Sequence, residues 1–393
     1  MKALLFPHCF FPAIDGGVVT FSNLALGLTR SGFEVEVITT DRRSSDDFFN
    51  PQAKKLSAEG MWQGIKITRL RILSRGRRLF KLAAKITGLD FFTAFSRGPI
   101  FLNLGKILKK REIDWVITGL FPSIAPFWAL LLARRNRAKL AIIPAFHPLE
   151  KEHQNKFLQK LLKKSDLILA FTGYEKSLYC KMGISSEKIL VSAGLIDDFI
   201  FEFQKDKSGK FPKKPTVLFL GVKAAHKRVP MLIEAMTLVW QKTEVALVIA
   251  GPETLSSKEI KVKLDSLSPK NQRRVVYLGK VSQERKTRLI DQATVLVNPS
   301  KYESFGIVFV EAWARKKPVI AASLPALKQV INDQKDGLLF QKDSVNDLAD
   351  KILSLVSQPG LARVIGERGY QKANSQFRCQ AAVKKIVDQL GRK

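Results

Sequence analysis

The sequence predicts an α/β protein of two doubly wound domains in tandem, and three observations carry that prediction. Short apolar runs of strand length recur along the chain, each followed by a segment whose apolar residues have helical spacing. The alternation occurs once in each half, as parallel sheets wrapped by helices require. At 393 residues the chain is long enough for two domains of ordinary size, each with its own core.

In the first half "KALLF" reads as the opening strand. A loop at Gly16-Gly17 follows, and then a helix carrying Val18, Phe21, Leu24, Ala25 and Leu28, ended by Gly32. "FEVEVITT" is the next strand, then "DWVITG", a Pro-containing helical run from Gly119 to Ala133, and "LAIIPAF" leading into His147. "SDLILAFT" and "KILVSAG" close this half. The stretch "FEFQKDKSGKFPKKP" has the Lys, Gly and Pro content of a linker and places a boundary near Ser208. Beyond it "TVLFLG", "VALVIAG", "VVYLG", "TVLVNPS" and "PVIAAS" are short buried strands, each backed by a helical segment. The predicted domains are 1–207 and 208–375, with 376–393 a helix expected to pack back on the first domain.

Charge sets the expected partners. Lys+Arg number 66 against 35 Asp+Glu, a net charge of +31, which points to a polyanion such as nucleic acid or an anionic membrane surface. The sequence carries no recognised nucleic-acid module and no interleaved aromatic-basic platform, so no nucleic-acid partner is expected. Cys9, Cys180 and Cys379 are scattered and odd in number, which fits a reducing cytosol better than a disulfide scaffold. The longest apolar stretch is interrupted by Pro122 and Pro126 and is too short for a membrane span. The first residues meet Pro7 and Asp15 too early for a secretory signal.

Between Lys66 and Gly88 stand eight basic residues and no acidic one. Arg77, Arg78, Lys81 and Lys85 fall on one side of a helix there, and Leu79, Phe80, Leu82, Ala83 and Ile86 on the other. That is the pattern of a basic helix lying on an anionic membrane surface. The expected location is therefore cytoplasmic, peripheral on the inner face of the cell membrane.

The chemistry gathers in "KYESFGIVFVEAWARKKPVI", residues 301–320, where Glu303 and Glu311 stand eight positions apart. Glu311 lies in a run apolar on every side, where an ionised carboxylate costs several kcal/mol unless it is paired or hydrogen-bonded. Two solutions are open: an ion pair with Arg315, four residues on, or a ligand rich in hydroxyls. Upstream, "NPSKYESFG" is turn chemistry delivering the chain into a helix start, whose N–H groups attract phosphate. A helical separation of eight residues is roughly 12 Å, beyond the spacing of a glycosidase carboxylate pair. Gly16-Gly17, His147, Lys227 and Glu303 each follow a predicted strand, at the sheet edge where ligands of doubly wound folds bind. His153 and His226 are expected at the surface, and Glu175 as a structural helix acid.

These residues carry a resemblance. "ESFGIVFVEAWARKKPVIAA", with "DGLLF" after it, resembles the Glu-x7-Glu signature of the retaining glycosyltransferases of family 4. "SDLILAFTGYEKSLYCKMGISSEKILVSAG" and "FLGVKAAHKRVPMLIEA" resemble two further blocks of that family, in the same order and spacing. The resemblance implies the GT-B fold, two Rossmann-like domains facing a central cleft, the first binding the acceptor and the second a nucleotide sugar. It implies that Glu311 binds the ribose hydroxyls, that Glu303 lies beside the donor sugar, and that the N–H groups of Ser304, Phe305 and Gly306 touch sugar or phosphate. Lys227 would neutralise the diphosphate leaving group. Gly17 would let the backbone approach the diphosphate or acceptor, and His147 would contact the donor sugar.

Two positions depart from the pattern. The family usually has Arg directly after the glycine of "FLG" and Gly after the lysine, where this chain has Val222 and Arg228. Lys223 or Arg228 is expected to supply the missing cation. With no Asp-x-Asp motif, the transfer is expected to be metal-independent and to use no cofactor beyond the nucleotide-sugar co-substrate. The expected activity is hexosyl transfer to a lipid-linked or cell-envelope glycan at the membrane face. The alternative is a soluble enzyme making a small glycoside or storage polymer.

Overall fold

Residues Leu4–Phe6 are buried without a break, as a strand covered on both faces requires, and they form the centre of a parallel sheet. The computed structural model describes residues 1–13, 16–103, 105, 109–148, 153–192, 194–196, 198–202 and 214–392. The chain divides into two units, one of Met1–Asp197 with Cys379–Lys393, the other of Asp198–Arg378. The predicted boundary near Ser208 lies outside the described residues.

In the first unit the described strands are β1 (Lys2–Phe6), β2 (Glu34–Thr40), β3 (Glu59–Trp62), β4 (Ile65–Leu70), β5 (Trp115–Gly119), β6 (Lys139–Ile143), β7 (Leu167–Ala170) and β8 (Ile189–Val191). Their order is β3-β4-β2-β1-β5-β6-β7-β8, and every pairing but β3 with β4 is parallel. The chain builds outward one way from β1 and the other way from β5, so the strand order reverses between them.

The helices that matter here are α1 (Gly16–Arg30), α2 (Arg77–Thr87), α3 (Asp90–Phe95), α4 (Ala125–Asn136) and α5 (Gly173–Lys181). Gly16 and Gly17 form the first turn of α1 rather than the expected loop, and Thr20 Oγ1 donates to Gly16 O at 2.9 Å. Pro126 sits at the start of α4, where a missing N–H costs nothing.

The β3-β4 hairpin lies where the sequence, from Lys66 onward, predicts a basic run. Its turn is Gln63-Gly64, both with positive φ (50° and 78°), the backbone of a two-residue turn whose twist suits paired strands. Ile65 and Ile67 point into the core while Lys66 points out, a period-2 pattern inside the basic stretch. The helix of that stretch begins only at Arg77, between Gly76 and Gly88, both left-handed.

The second unit contains β9 (Thr216–Leu220), β10 (Ala246–Ala250), β11 (Val275–Leu278), β12 (Val295–Asn298), β13 (Val319–Ala322) and β14 (Leu338–Phe340), all parallel in the order β11-β10-β9-β12-β13-β14. Strand order reverses between β9 and β12, and the loops leaving those two strands carry Lys227 and Glu303. Its helices α6 (Val229–Lys242), α7 (Gln283–Gln292) and α8 (Ile307–Ala314) follow β9, β11 and β12.

The chain then returns to the first unit as α9 (Cys379–Arg392). It packs on α1 so closely that a Cβ on Gly27 would lie 2.3 Å from Val383. Trp115 Nε1 donates to Leu390 O at 3.3 Å. Among the described residues, no helix is long and apolar enough to cross a membrane.

Candidate active site

At the switch point of the second sheet, three consecutive residues of one loop meet two of the other. Lys301 N donates to His226 O at 2.7 Å, the His226 ring stacks on Tyr302 with centroids 4.8 Å apart, and Lys227 Nζ lies 2.6 Å from Glu303 Oε2. Both charged side chains are only 14% exposed, which strengthens their attraction over that of a surface pair. Ser300 Oγ lies 2.7 Å from Asn298 Oδ1 and 3.4 Å from Glu303 Oε2, so the end of β12 steadies the carboxylate.

The loop enters α8 through Gly306, whose φ of 80° favours glycine, and a Cβ there would meet Phe309 Cδ2 at 2.4 Å. Ser304 and Phe305 are buried, with the Phe305 ring edge-on to Phe377 at 5.4 Å, so this stretch is anchored from below.

Glu311 is buried on α8, and its carboxylate pairs with Lys286 Nζ on α7. The sequence leaves open an ion pair with Arg315. That residue instead grips Asp291 with two bonds, 2.8 and 2.9 Å, a forked geometry that satisfies a guanidinium better than a single contact. Lys286 escaped the sequence reading because its only signal is spatial: it stands 25 residues from its partner on another helix.

The two candidates for a second cation go different ways. Lys223 is fully buried, donating to Glu253 Oε1 at 2.9 Å and Leu278 O at 2.6 Å and lying 3.7 Å from the centre of the Tyr277 ring. It is committed to that cluster, and the expectation that it serves the donor is overturned. The Lys223 hydrogen bond holds the Glu253 carboxyl below its usual range, while burial, then Glu253, pushes the Tyr277 hydroxyl up to about 12. Arg228 caps α6 in the left-handed region (φ 54°), a conformation glycine adopts without strain, and its guanidinium pairs with Asp343. Val222 is exposed.

In the first unit, the backbone N–H of His147 donates to His153 Nδ1 at 3.1 Å. His153 is buried beside Phe121 and Phe146, not at the surface as expected, because those rings and the His147 amide enclose it. His226 likewise is half-buried under Tyr302. Glu175 is a structural acid of an unusual kind. Fully enclosed, it accepts from Phe146 N at 2.8 Å, from Phe171 N at 2.7 Å and from the Tyr179 hydroxyl, tying together the ends of β6 and β7 next to His147. Burial pushes its carboxyl up, against the pull of Tyr179 and the two amides.

On α2 the quartet of cations is divided. Arg77 turns inward, its guanidinium 5.3 Å above the Phe49 ring, so it does not join the outer face as expected. Arg78, Lys81 and Lys85 are exposed. Phe80 packs on Phe95, 5.8 Å between centroids, but Leu79, Leu82 and Ile86 remain 71%, 54% and 74% exposed.

Residues 200–372 match the family model of the glycosyl transferases group 1, and residues 14–197 that of Glycosyltransferase Family 4. The chain is also 31% identical over 397 residues to an uncharacterized glycosyltransferase of Methanocaldococcus jannaschii, covering 99% of each. The chain belongs to the group 1 glycosyltransferases. A poly(ribitol-phosphate) alpha-N-acetylglucosaminyltransferase of Staphylococcus aureus is 30% identical to this glycosyltransferase over 165 residues, 41% of this chain and 32% of that one. The structure of Anabaena HepE in complex with UDP and glucose matches it over 100% of both chains, with a TM-score of 0.72 at 17% identity. The glycosyltransferase therefore has the GT-B fold, two Rossmann-like units whose sheets are those described above. Its Lys227–Glu303 pair stands at the edge of the second sheet where such folds take their ligands.

Proposed function

We propose that this glycosyltransferase moves a hexose from a nucleotide sugar, with retention, to a lipid-linked or cell-envelope glycan on the cytoplasmic face of the membrane. The observation that carries the donor half is the Lys227–Glu303 pair beside the Gly306 entry to α8, with Glu311 further along the same helix. A departing diphosphate develops negative charge, and in this reading Lys227 together with the N–H groups of Ser304, Phe305 and Gly306 meets it. Glu303 lies beside the donor sugar, and Glu311 accepts hydrogen bonds from the ribose diol. His147 and Gly17, on the first unit, serve sugar and acceptor. Arg228 is the second cation, since Lys223 is committed to Glu253. The charge these groups supply makes the transfer metal-independent.

The outer surface of α2 supports the membrane half. At about 100° per residue, Arg78, Lys81 and Lys85 form one strip, and Leu79, Leu82 and Ile86 an adjoining strip, both open to solvent. A cationic strip beside an apolar one matches the interface of an anionic bilayer, with headgroups and acyl chains side by side. Assaying a panel of UDP-, GDP- and ADP-sugars against a membrane lipid extract, with and without EDTA, tests the proposal. Sugar transfer to a lipid product, unchanged by EDTA, is expected. Transfer only to small water-soluble hydroxyl acceptors would instead favour a soluble enzyme making a glycoside or storage polymer.

A further inference from the structure

The buried carboxylate of Glu311 has a partner that the family signature does not contain. Lys286 stands one turn into α7, which Ser282 caps by accepting from Arg285 N, and its ammonium meets Glu311 Oε1 across to α8. The two side chains are 18% and 8% exposed.

This ion pair is not what docks the helices. Asp291 and Arg315 join α7 to α8 with two hydrogen bonds of their own, and Phe309, Val310 and Trp313 bury the rest of α8 in the core. What Lys286 adds is a fixed direction for the Glu311 carboxylate. A hydrogen-bonded ammonium offsets part of the cost of taking a carboxylate out of water and fixes the direction of its oxygens. The contact is to Oε1, so Oε2 stays available, and a carboxylate with about four lone-pair sites can still accept two hydroxyls.

We infer that Lys286 is a positioning residue of the donor site: by orienting the Glu311 carboxylate, it sets the selectivity for a ribose diol over a deoxyribose. The inference rests on the reading of Glu311 as the ribose acceptor. It concerns binding of the nucleotide and not the reacting carbon, so its effect falls on donor affinity and on KM, leaving kcat at saturating donor nearly untouched.

The experiment titrates the full chain with UDP, GDP and ADP by calorimetry, then with the 2′-deoxy form of whichever binds most tightly. Wild type is expected to prefer the ribose form by about tenfold or more, the worth of a hydrogen bond to a charged group. Lys286→Met keeps the stem and loses the charge. It is expected to weaken the ribose nucleotide by about tenfold and to bring the ribose-to-deoxyribose ratio close to one, while Lys286→Arg restores most of both. A Lys286→Met protein that keeps the full ratio, or that binds the ribose nucleotide more tightly, overturns the role given to Lys286 and leaves the ribose reading standing. A wild type that makes no distinction between the two nucleotides overturns the ribose reading, and the role of Lys286 with it. Thermal melts of the variants check that α7 and α8 remain docked. Should Lys286→Met fail to fold, Lys286→Gln takes its place with the same expected ratio, and a full ratio in that variant overturns the role equally.

Discussion

Lys227 Nζ and Glu303 Oε2 lie 2.6 Å apart across 76 residues of sequence, joining the loops that leave the two strands at which the second sheet reverses its order. On the proposed reading, this cation and carboxylate act where the nucleotide sugar breaks. Glu303→Ala is expected to slow transfer by about a hundredfold and to change nucleoside diphosphate affinity by less than about threefold. Glu311→Ala is expected to do the reverse, weakening the diphosphate by about tenfold or more. Calorimetry beside a transfer assay reads both, and an unchanged diphosphate affinity in a folded Glu311→Ala protein would refute the division of roles.

Vesicle sedimentation tests α2. Binding to anionic and not neutral vesicles is expected, with high salt releasing the protein. Changing Arg78, Lys81 and Lys85 to Gln should abolish it, and changing Leu79, Leu82 and Ile86 to Ser should weaken it, with little effect on the melting temperature because all six side chains are exposed. Arg77, packed over Phe49, should matter to stability instead. Equal binding to neutral vesicles would sink the idea.

Arg228 separates folding from binding. Its left-handed backbone costs about 1 kcal/mol that glycine would relieve, and its partly exposed pair with Asp343 is worth about 0–1 kcal/mol, so Arg228→Gly should melt close to wild type. Arg228→Ala keeps the strain and loses the pair, and should melt lower. Donor KM should nonetheless rise about tenfold in Arg228→Gly, about 1.4 kcal/mol, and a KM unchanged from wild type would remove Arg228 from the donor site.

Glu175 makes a pH-dependent contribution whose sign follows from its raised carboxyl. Because burial lifts it above the usual 4.5, the folded chain binds the proton more tightly than the unfolded chain does. The group therefore adds stability as pH falls through the window above 4.5 and subtracts it as pH rises. Glu175→Gln cannot titrate, and it sets an amide N–H against one of the backbone donors of Phe146 or Phe171, at a cost of about 1–3 kcal/mol. Denaturant unfolding at pH 7 and pH 5 should show wild type gaining on Glu175→Gln at the lower pH. A gap that narrows with acid would contradict the assignment.

Much of the architecture was legible because its signals are local. The unbroken apolar runs at Leu218, Val248, Val297 and Ile320 mark strands covered on both faces, and the glycine at 306 and the apolar run after it mark the start and burial of α8. The hairpin at Gln63-Gly64 was also written locally, in the alternation of Ile65, Lys66 and Ile67, but the basic charge of the stretch drew attention to a helix that begins eleven residues later than Lys66.

The sequence by itself determined two α/β units, the order along the chain of their strands other than β3, β4 and β14, and the presence of a buried carboxylate that needs a partner. Only the tertiary structure decided which partner it has. Periodicity and propensity act over a few residues, whereas an ion pair depends on which helices the sheet order brings side by side. Arg315 stood within one turn of Glu311 in the sequence but found a forked fit to Asp291, and Lys286 arrived from a helix that the crossover from β11 to β12 set against α8. The same distinction buried Lys223 under Tyr277 and turned Arg77 inward over Phe49, since a cation's surroundings are set by the elements packed around it and not by its neighbours in the chain.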